Sequence, residues 1–425
     1  MNISNLSPKS FSCAFCDSNN LSEVIDFGSV ALAGGFIKPE YFATERLYPL
    51  RVYFCGDCYA VQVVDIIPAD VLFNNYFYFS SSIGTLREHF KEYAKEVSIR
   101  FLENPSKSTV LEFGCNDGVL LRPFADQGIR TIIGVDPAAN VVATIDDPRV
   151  TVVNDFFTEN VARRVVAEHG KVDMIMANNV YAHIPDIQGT TRAVAEALND
   201  DGVFVFEVHY LGKVINEMQY DMVYHEHLYY YSLLSAMNHF ERYGMMVFDI
   251  KPTPVHAGSM RFYVCKKGSK HSTSVSDAVK TLEAEERANG FNRYETFQRY
   301  SSTVAEHKVQ LLALLRKLRK QGHTIAGYGA SGRANTMIQY CGIGHELLNY
   351  MIDDAPAKAG FYTPGSHLEI HSNSLLSHGM PPDYLLIFAW SFFDEIRKRN
   401  SSYLEKGGRM ILPLPNISIF PSSER

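Results

Sequence analysis

No stretch of the 425-residue chain is apolar over the length that a bilayer crossing requires, so a helical membrane protein is not expected. The chain has no surplus of positive charge either. Its 40 Lys and Arg stand against 47 Asp and Glu, and the net charge of −7 argues against a general nucleic-acid binder, which needs a basic surface to meet phosphates. The opening residues, MNISNLSPKSFSC, lack a basic-then-apolar signal, so a cytoplasmic location is expected. Cysteines are few and odd in number, seven, which suits a reducing compartment better than a complete disulfide framework. What the chain does have is length for two or three domains and 46% apolar residues to fill their cores.

Four of the cysteines are patterned. Cys13 and Cys16 form one C-x-x-C in SCAFCDS, and Cys55 and Cys58 form another in YFCGDCYA. Two intervening residues let both sulfurs of a knuckle reach one ion, and two knuckles supply the four thiolates that tetrahedral zinc takes. The segments between them, VIDFGSVALAGGF and YPLRVYF, have the character of a small strand ribbon. A redox pair would sit beside a βαβ pattern, which is missing here, so structural zinc is the better reading than four metal-free thiols. Four sulfur ligands leave no open position for catalysis.

From about residue 108 strands alternate with helices, which predicts a parallel sheet. STVLEFGCNDGVLLRPF reads as strand, glycine turn and helix; IRTIIGVDPAAN is a second strand ending at Asp136; KVDMIMANNVYAHIP is a third. Ligands of such sheets bind at the carboxyl ends of the strands, where Gly114, Asp136, Asn178 and His183 fall. An acidic residue like Asp136 can there accept hydrogen bonds from ribose hydroxyls. The ordered series E-x-G-C-N-x-G and G-V-D-P resembles class I methyltransferases that use S-adenosylmethionine, and the GCNDG form, with Asn116 in place of the usual middle glycine, resembles their sugar C-methyltransferase branch. That resemblance implies that Glu112, Gly114, Asn116 and Gly118 shape the methionine pocket. It also implies that Asp136, followed by Pro137, holds the ribose, that Asp155 and Phe156 lie near the adenine, and that Asn178 belongs to the same cofactor site.

The densest chemical cluster is Tyr224-His225-Glu226-His227. It cannot be an H-E-x-x-H zinc site, because position 229 is Tyr. In an extended chain Tyr224 and Glu226 would share a face, whereas in a helical turn Tyr224 would meet His227. Together with Tyr76 and Tyr78 upstream and His256, Ser259 and Arg261 in VHAGSMRFYV, this loop resembles the zinc-containing C-3 methyltransferases of antibiotic sugars, with the motifs in the family's order over almost the whole chain. Those enzymes methylate the carbon beside the keto group of a nucleotide-linked 4-keto-6-deoxy sugar. The resemblance implies His227 as general base, Glu226 as its orienting partner, and Tyr224, His183 and Tyr78 around the sugar and its keto oxygen. Tyr76, His225, His256, Ser259 and Arg261 are implied as further substrate contacts. The residue types suit the chemistry. A carbon beside a ketone loses its proton only to a positioned base, and only if a donor meets the developing oxyanion.

Residues 270–320 are predicted helical, with Leu311, Leu314, Leu315 and Leu318 on one face. Beyond them HTIAGYGASGRANTMIQY repeats strand, glycine turn and helix, and Gly327, Gly329 and Gly332 match G-x-G-x-x-G, with Asp353 and Asp354 downstream. Taken alone this is a dinucleotide fingerprint, and it supports an alternative reading as an NAD-linked oxidoreductase. The resemblance instead implies a Rossmann-like domain that cradles the sugar nucleotide through Gly329, Ser331, Arg333 and Asp353, since a glycine turn at a helix N-terminus suits any pyrophosphate. A further alternative, a non-catalytic zinc-stapled binding module, leaves the cofactor motifs unexplained. The expected fold is therefore α/β in four segments. Residues 1–70 form a zinc-binding domain, 71–268 the Rossmann-like methyltransferase domain, 269–320 a helical linker and 321–425 a C-terminal Rossmann-like domain.

Overall fold

The computed structural model describes residues 11–68, 72, 79–82 and 84–422. Tyr76 and Tyr78 lie outside the described residues. Three sheets organise the described residues, each built where the hydrophobic pattern has period two or a continuous buried run.

The first sheet is antiparallel. Strands Leu21–Ala31, Leu47–Cys55 and Val61–Val63 form the expected ribbon of the cysteine module. Its fourth strand comes from elsewhere in the chain. Tyr229–Tyr230, just past the Y-H-E-H loop, pairs with Val61 and Gln62. Unpaired edges are costly, and here the central domain covers this one.

The central sheet has seven strands in the order Met245–Thr253, Ser259–Lys266, Leu198–His209, Val172–Asn178, Thr109–Phe113, Thr131–Val135, Val150–Val153. The last five are mutually parallel, and Ser259–Lys266 runs antiparallel to both its neighbours. Thr109–Phe113, buried along its whole length, sits near the middle and delivers the GCNDG turn at its carboxyl end. Gly114 and Gly118 take positive φ of 66° and 72°, where a side chain would be strained, and Asn116 adopts the left-handed region at 50° that its residue type tolerates.

The third sheet orders Ile370–Ser372, Met351–Asp353, Ile325–Tyr328, Tyr384–Ile387, Arg409–Leu412 and Ser418–Phe420; the first five are parallel and the last antiparallel. It is the doubly wound arrangement that the second glycine turn predicted. Between the two α/β units run helices Asp277–Ala288 and Tyr294–Lys320. On the longer one Leu311, Leu315 and Leu318 are buried as expected; Leu312 joins them, while Leu314 is only partly covered. Among the described residues no helix is long and apolar enough to cross a membrane.

The N-terminal module also touches the C-terminal unit. The Ala31 N–H donates to Gln339 Oε1 at 2.7 Å, Asn335 donates to the Ala33 carbonyl, and Ile37 bridges Tyr362. The loop of residues 31–37 is thus clasped from the far side, beside the segment that carries Tyr224.

Candidate active site

The four cysteines converge as their spacing requires. Their sulfurs all lie within 4.8 Å of one another, with Cys13–Cys58 at 3.5 Å and Cys16–Cys55 at 3.6 Å. A zinc ion with bonds of about 2.3 Å to each fits such a tetrahedron. Phe15, between the first two cysteines, packs against Tyr229, Tyr231 and His239 at ring separations of 5.1, 5.5 and 4.6 Å, so the knuckle is fastened directly to the central domain.

At the carboxyl ends of the central strands the polar chemistry is buried and rich in acceptors. Glu112 takes one hydrogen bond from Asn178 Nδ2 at 3.0 Å through Oε1. Its Oε2, Asn178 Oδ1 and Asp117 Oδ1 are buried without a partner among the described residues. Burial pushes Glu112 up to about 8, with Asp136 and Asp117 adding to the rise. Three orphaned acceptors beside a glycine turn suit a ligand that brings cationic and hydroxyl donors, as S-adenosylmethionine does with its ammonium and ribose. Asp136 accepts the N–H groups of Asn116 and Ala138, both at 2.9 Å, and so closes the turn against the second strand. Asn154, which the sequence reading passed over, reaches back to the Asp136 carbonyl at 2.9 Å. Asp155 accepts from the Phe156 N–H, while the Phe156 ring and Pro137 stand exposed at the rim. Replacing Asp136 with alanine is expected to weaken S-adenosylmethionine binding by about 5- to 150-fold, the equivalent of 1–3 kcal/mol for buried donors left unpaired. Titration calorimetry checks this, and unchanged affinity would place the cofactor elsewhere.

The Y-H-E-H loop folds as a turn. The His227 N–H donates to the Tyr224 carbonyl, which brings Tyr224 and His227 together as the helical alternative required. Their side chains bond, Tyr224 Oη to His227 Nε2, at 2.8 Å. His227 Nδ1 lies 2.9 Å from the Met222 carbonyl. A carbonyl only accepts, so Nδ1 carries the proton and Nε2 holds the lone pair toward Tyr224. Glu226 therefore does not orient His227. Because it stands on the other side of the turn, its Oε1 instead approaches the N-terminal module, 3.5 Å from where a Cβ on Gly34 would lie. Its pKa is raised by burial alone. His225 turns the same way. Its Nε2 donates to the Pro49 carbonyl at 3.0 Å and its ring meets Tyr48 edge-on, so it joins domains instead of facing substrate.

Around His227 stand three more histidines. His183 meets it edge-on at 5.0 Å and His209 lies 6.1 Å away, with His256 a further 6.4 Å from His209. Burial holds all four below the ordinary histidine range, His183 at about 4. They are neutral imidazoles at neutral pH, with lone pairs available. His209 escaped the sequence reading, although Glu207 and His209 form a period-two polar pair in an otherwise apolar strand, FVFEVH. His256 sits in the left-handed region (φ 52°) and Ser259 donates to the Val255 carbonyl, so both shape the turn that brings the fourth imidazole in.

Buried neutral histidines have a stability consequence. For a pKa depressed on folding, the stabilisation is complete above the unfolded value of about 6.5 and is lost as pH falls through the folded one. His183 at about 4 and His239 at about 3 both act in this sense, while Glu112 at about 8 and Glu286 at about 7 act in the opposite one, so the contribution is read as a difference: the melting temperature of wild type relative to His239→Gln, which keeps both acids, is expected to hold from pH 8 to 6.5 and then to drop steadily toward pH 4. A scanning-calorimetry difference that stays flat through pH 5 contradicts it.

Arg261, expected at the substrate, is buried in an ion network instead. It gives Nε and Nη2 to Glu207 Oε2 at 3.0 and 2.9 Å and lies 3.5 Å above the Tyr93 ring; Glu207 also meets His89 Nε2 at 2.8 Å. A guanidinium 2% exposed needs such partners, and they occupy it within the fold. Asp353 is similarly occupied. It accepts from the Ala330 and Ala355 N–H groups and from Lys358, and so holds the second glycine turn. Gly329 in that turn has φ of 92° and packs on Ala389. Ser331 caps the next helix through the Ala334 N–H, and Arg333 pairs with Asp221. A Cβ on Gly332 would lie 3.5 Å from Ala33 and 3.9 Å from Tyr224, so all three units meet beside the Tyr224 ring.

Three family profiles match this chain in order: a zinc binding domain over residues 13–73, a methyltransferase domain over 86–248 and a C-methyltransferase C-terminal domain over 254–415. The chain is 33% identical over 404 residues to C-methyltransferase NovU of Streptomyces niveus, with 95% of each chain covered. A shorter similarity, 24% over 121 residues, links 27% of this chain to 47% of a ubiquinone biosynthesis O-methyltransferase of Azorhizobium caulinodans. Magnesium protoporphyrin IX methyltransferase from Synechocystis PCC 6803, solved with bound S-adenosylmethionine, aligns over 42% of this chain and 79% of its own at 13% identity, with a TM-score of 0.32. Fold, site and relatives together define a zinc-binding, S-adenosylmethionine-dependent C-methyltransferase. The chain belongs to the C-methyltransferase family of NovU. The G-x-G-x-x-G turn at Gly327–Gly332 lies inside the C-methyltransferase C-terminal domain, which accounts for it without an NAD-linked activity.

Proposed function

We propose that the substrate is a nucleotide-diphosphate 4-keto-6-deoxy sugar, methylated at C-3 through an enolate. The observation that carries this reading is the Tyr224–His227 pair, a fixed imidazole lone pair and a hydroxyl 2.8 Å apart in one turn. Deprotonation beside a ketone requires both, a base for the C–H and a donor for the oxygen that takes up the electrons. As the keto oxygen arrives, the Tyr224 hydroxyl turns from Nε2 to that oxygen, and the freed lone pair takes the C-3 proton. The C–H electrons move into the ring as an enolate while His227 becomes imidazolium. Glu112, Asp136 and the GCNDG turn would hold S-adenosylmethionine, which when bound supplies an electrophilic methyl group on a sulfonium. Burial and the neutral imidazoles of His183 and His209 disfavour a lasting charge on His227, so after the enolate carbon has reacted the imidazolium gives its proton to solvent water as the product leaves. The second glycine turn, with the backbone N–H groups of Gly332 and Arg333 that the Ser331 cap leaves at the start of helix Gly332–Cys341, suits the diphosphate. Incubation with methyl-labelled S-adenosylmethionine and a panel of nucleotide-linked 4-keto sugars, read by mass spectrometry and NMR, tests the reading. A new methyl on C-3 is expected; a methyl on oxygen sinks it, because O-methylation needs no carbon acid.

A further inference from the structure

His227 owes its tautomer to one acceptor, the Met222 carbonyl, and the turn that presents this carbonyl is gripped from the C-terminal domain. The turn is the short 3-10 segment Tyr220–Met222. On one side of Met222, Asp221 is 1% exposed and takes Arg333 Nε and Nη2 at 2.9 and 3.1 Å; Trp390 Nε1 adds a third bond at 2.9 Å. On the other side, Thr336 Oγ1 donates to the Val223 carbonyl at 2.8 Å. Within the central domain the other side-chain donor to the Met222 carbonyl is Tyr230, at a long 3.4 Å. Peptides on both sides of Met222 are therefore tied to one helix, Gly332–Cys341, whose first turn begins at the second glycine loop.

We propose that Asp221, Arg333, Trp390 and Thr336 are positioning residues for the methyl-transfer step: by clamping residues 221 and 223 they aim the Met222 carbonyl at His227 Nδ1 and so keep the Nε2 lone pair directed at the reacting carbon. The C-terminal domain then does more than carry the substrate's nucleotide. It completes the base, and the catalytic turn is correctly set only when the two α/β units are docked. An isolated interdomain ion pair is weak support for stability, because desolvation offsets its attraction, so a role in specifying geometry accounts better for burying Asp221 and Arg333. The inference rests on the reading of His227 as the base, but its test does not.

The full-length protein is labelled with ¹⁵N-histidine and the His227 ring is assigned by its loss in His227→Gln. Multiple-bond ¹H–¹⁵N correlation then reports which ring nitrogen carries the proton, with no turnover. Wild type is expected to show a single Nδ1–H form. Thr336→Val and Asp221→Asn are expected to show mixed tautomers at His227. Their kcat should fall by about 10- to 100-fold, the scale of a small misplacement, with KM held within about twofold. Thr336→Ser restores the hydroxyl and is expected to restore both readouts. If Asp221→Asn does not fold around an unpaired Arg333, Asp221→Leu combined with Arg333→Met removes both charges and serves in its place. A single unchanged Nδ1–H form in Thr336→Val and in the Asp221 variant overturns the proposal, even if both proteins melt earlier. Normal methylation by His227→Ala, by contrast, removes the base assignment while leaving the tautomer result intact, so the two failures are distinguishable.

Discussion

His227→Ala is expected to bind S-adenosylmethionine and sugar nucleotide as wild type does while methyl transfer falls by about 10²–10⁴-fold, the usual contribution of a general base. Binding should survive because His227 is held by Met222 and Tyr224, whereas the orphaned acceptors proposed to meet the cofactor belong to Glu112, Asp117 and Asn178. Exchange of the proton beside the ketone into deuterated water, followed without S-adenosylmethionine, isolates the first half of the reaction and should slow in parallel. Tyr224→Phe is expected to lower methyl transfer as well, since it removes the donor for the oxyanion. Its His227 lone pair is unobstructed, so KM for the sugar should move less than kcat. If His227→Ala exchanges and methylates normally while Tyr224→Phe abolishes both, the base is the tyrosine and the enolate route stands.

Loss of the metal is expected to have an effect of comparable size by a different route. Cys55→Ser leaves three sulfurs where zinc takes four, and structural zinc contributes on the order of 10 kcal/mol to the folding of small modules. Taken alone, the sequence suggests that this damage stays within the N-terminal module. The sheet argues otherwise. Strand Val61–Val63 pairs with Tyr229–Tyr230, two residues beyond His227, and Phe15 in the first knuckle packs on Tyr229 and Tyr231. The module is therefore part of the frame that holds the Y-H-E-H turn. Cys55→Ser protein should lack the roughly one zinc per chain of wild type, melt at lower temperature and lose nearly all methyl transfer, yet keep much of its affinity for S-adenosylmethionine, because the pocket proposed for it, at Glu112 and the GCNDG turn, is carried by the central sheet. Full methyl transfer in a protein shown by metal analysis to be zinc-free contradicts this account.

Much of this molecule was legible in its sequence because the signals are local. Two cysteines on one knuckle, a glycine turn between a buried strand and a helix, and an acid at the next strand's end are spacings of a few residues, set by backbone geometry that neighbouring side chains dictate. The zinc module, the two Rossmann-like units and the family followed from them. What the sequence left open were pairings between distant segments. Whether Tyr224 met His227 or Glu226 depended on the turn, and residues 221–223 just before it are bound by Arg333 and Thr336, more than a hundred positions away. Arg261 reads as a substrate contact in a motif, but Glu207 and Tyr93 from two other elements bury it. His209 carries no motif and joins the histidine cluster only because its strand lies beside Ser259–Lys266. A side chain's role in a site is decided by what low-dielectric surroundings and partners the fold brings to it, and those come from tertiary packing.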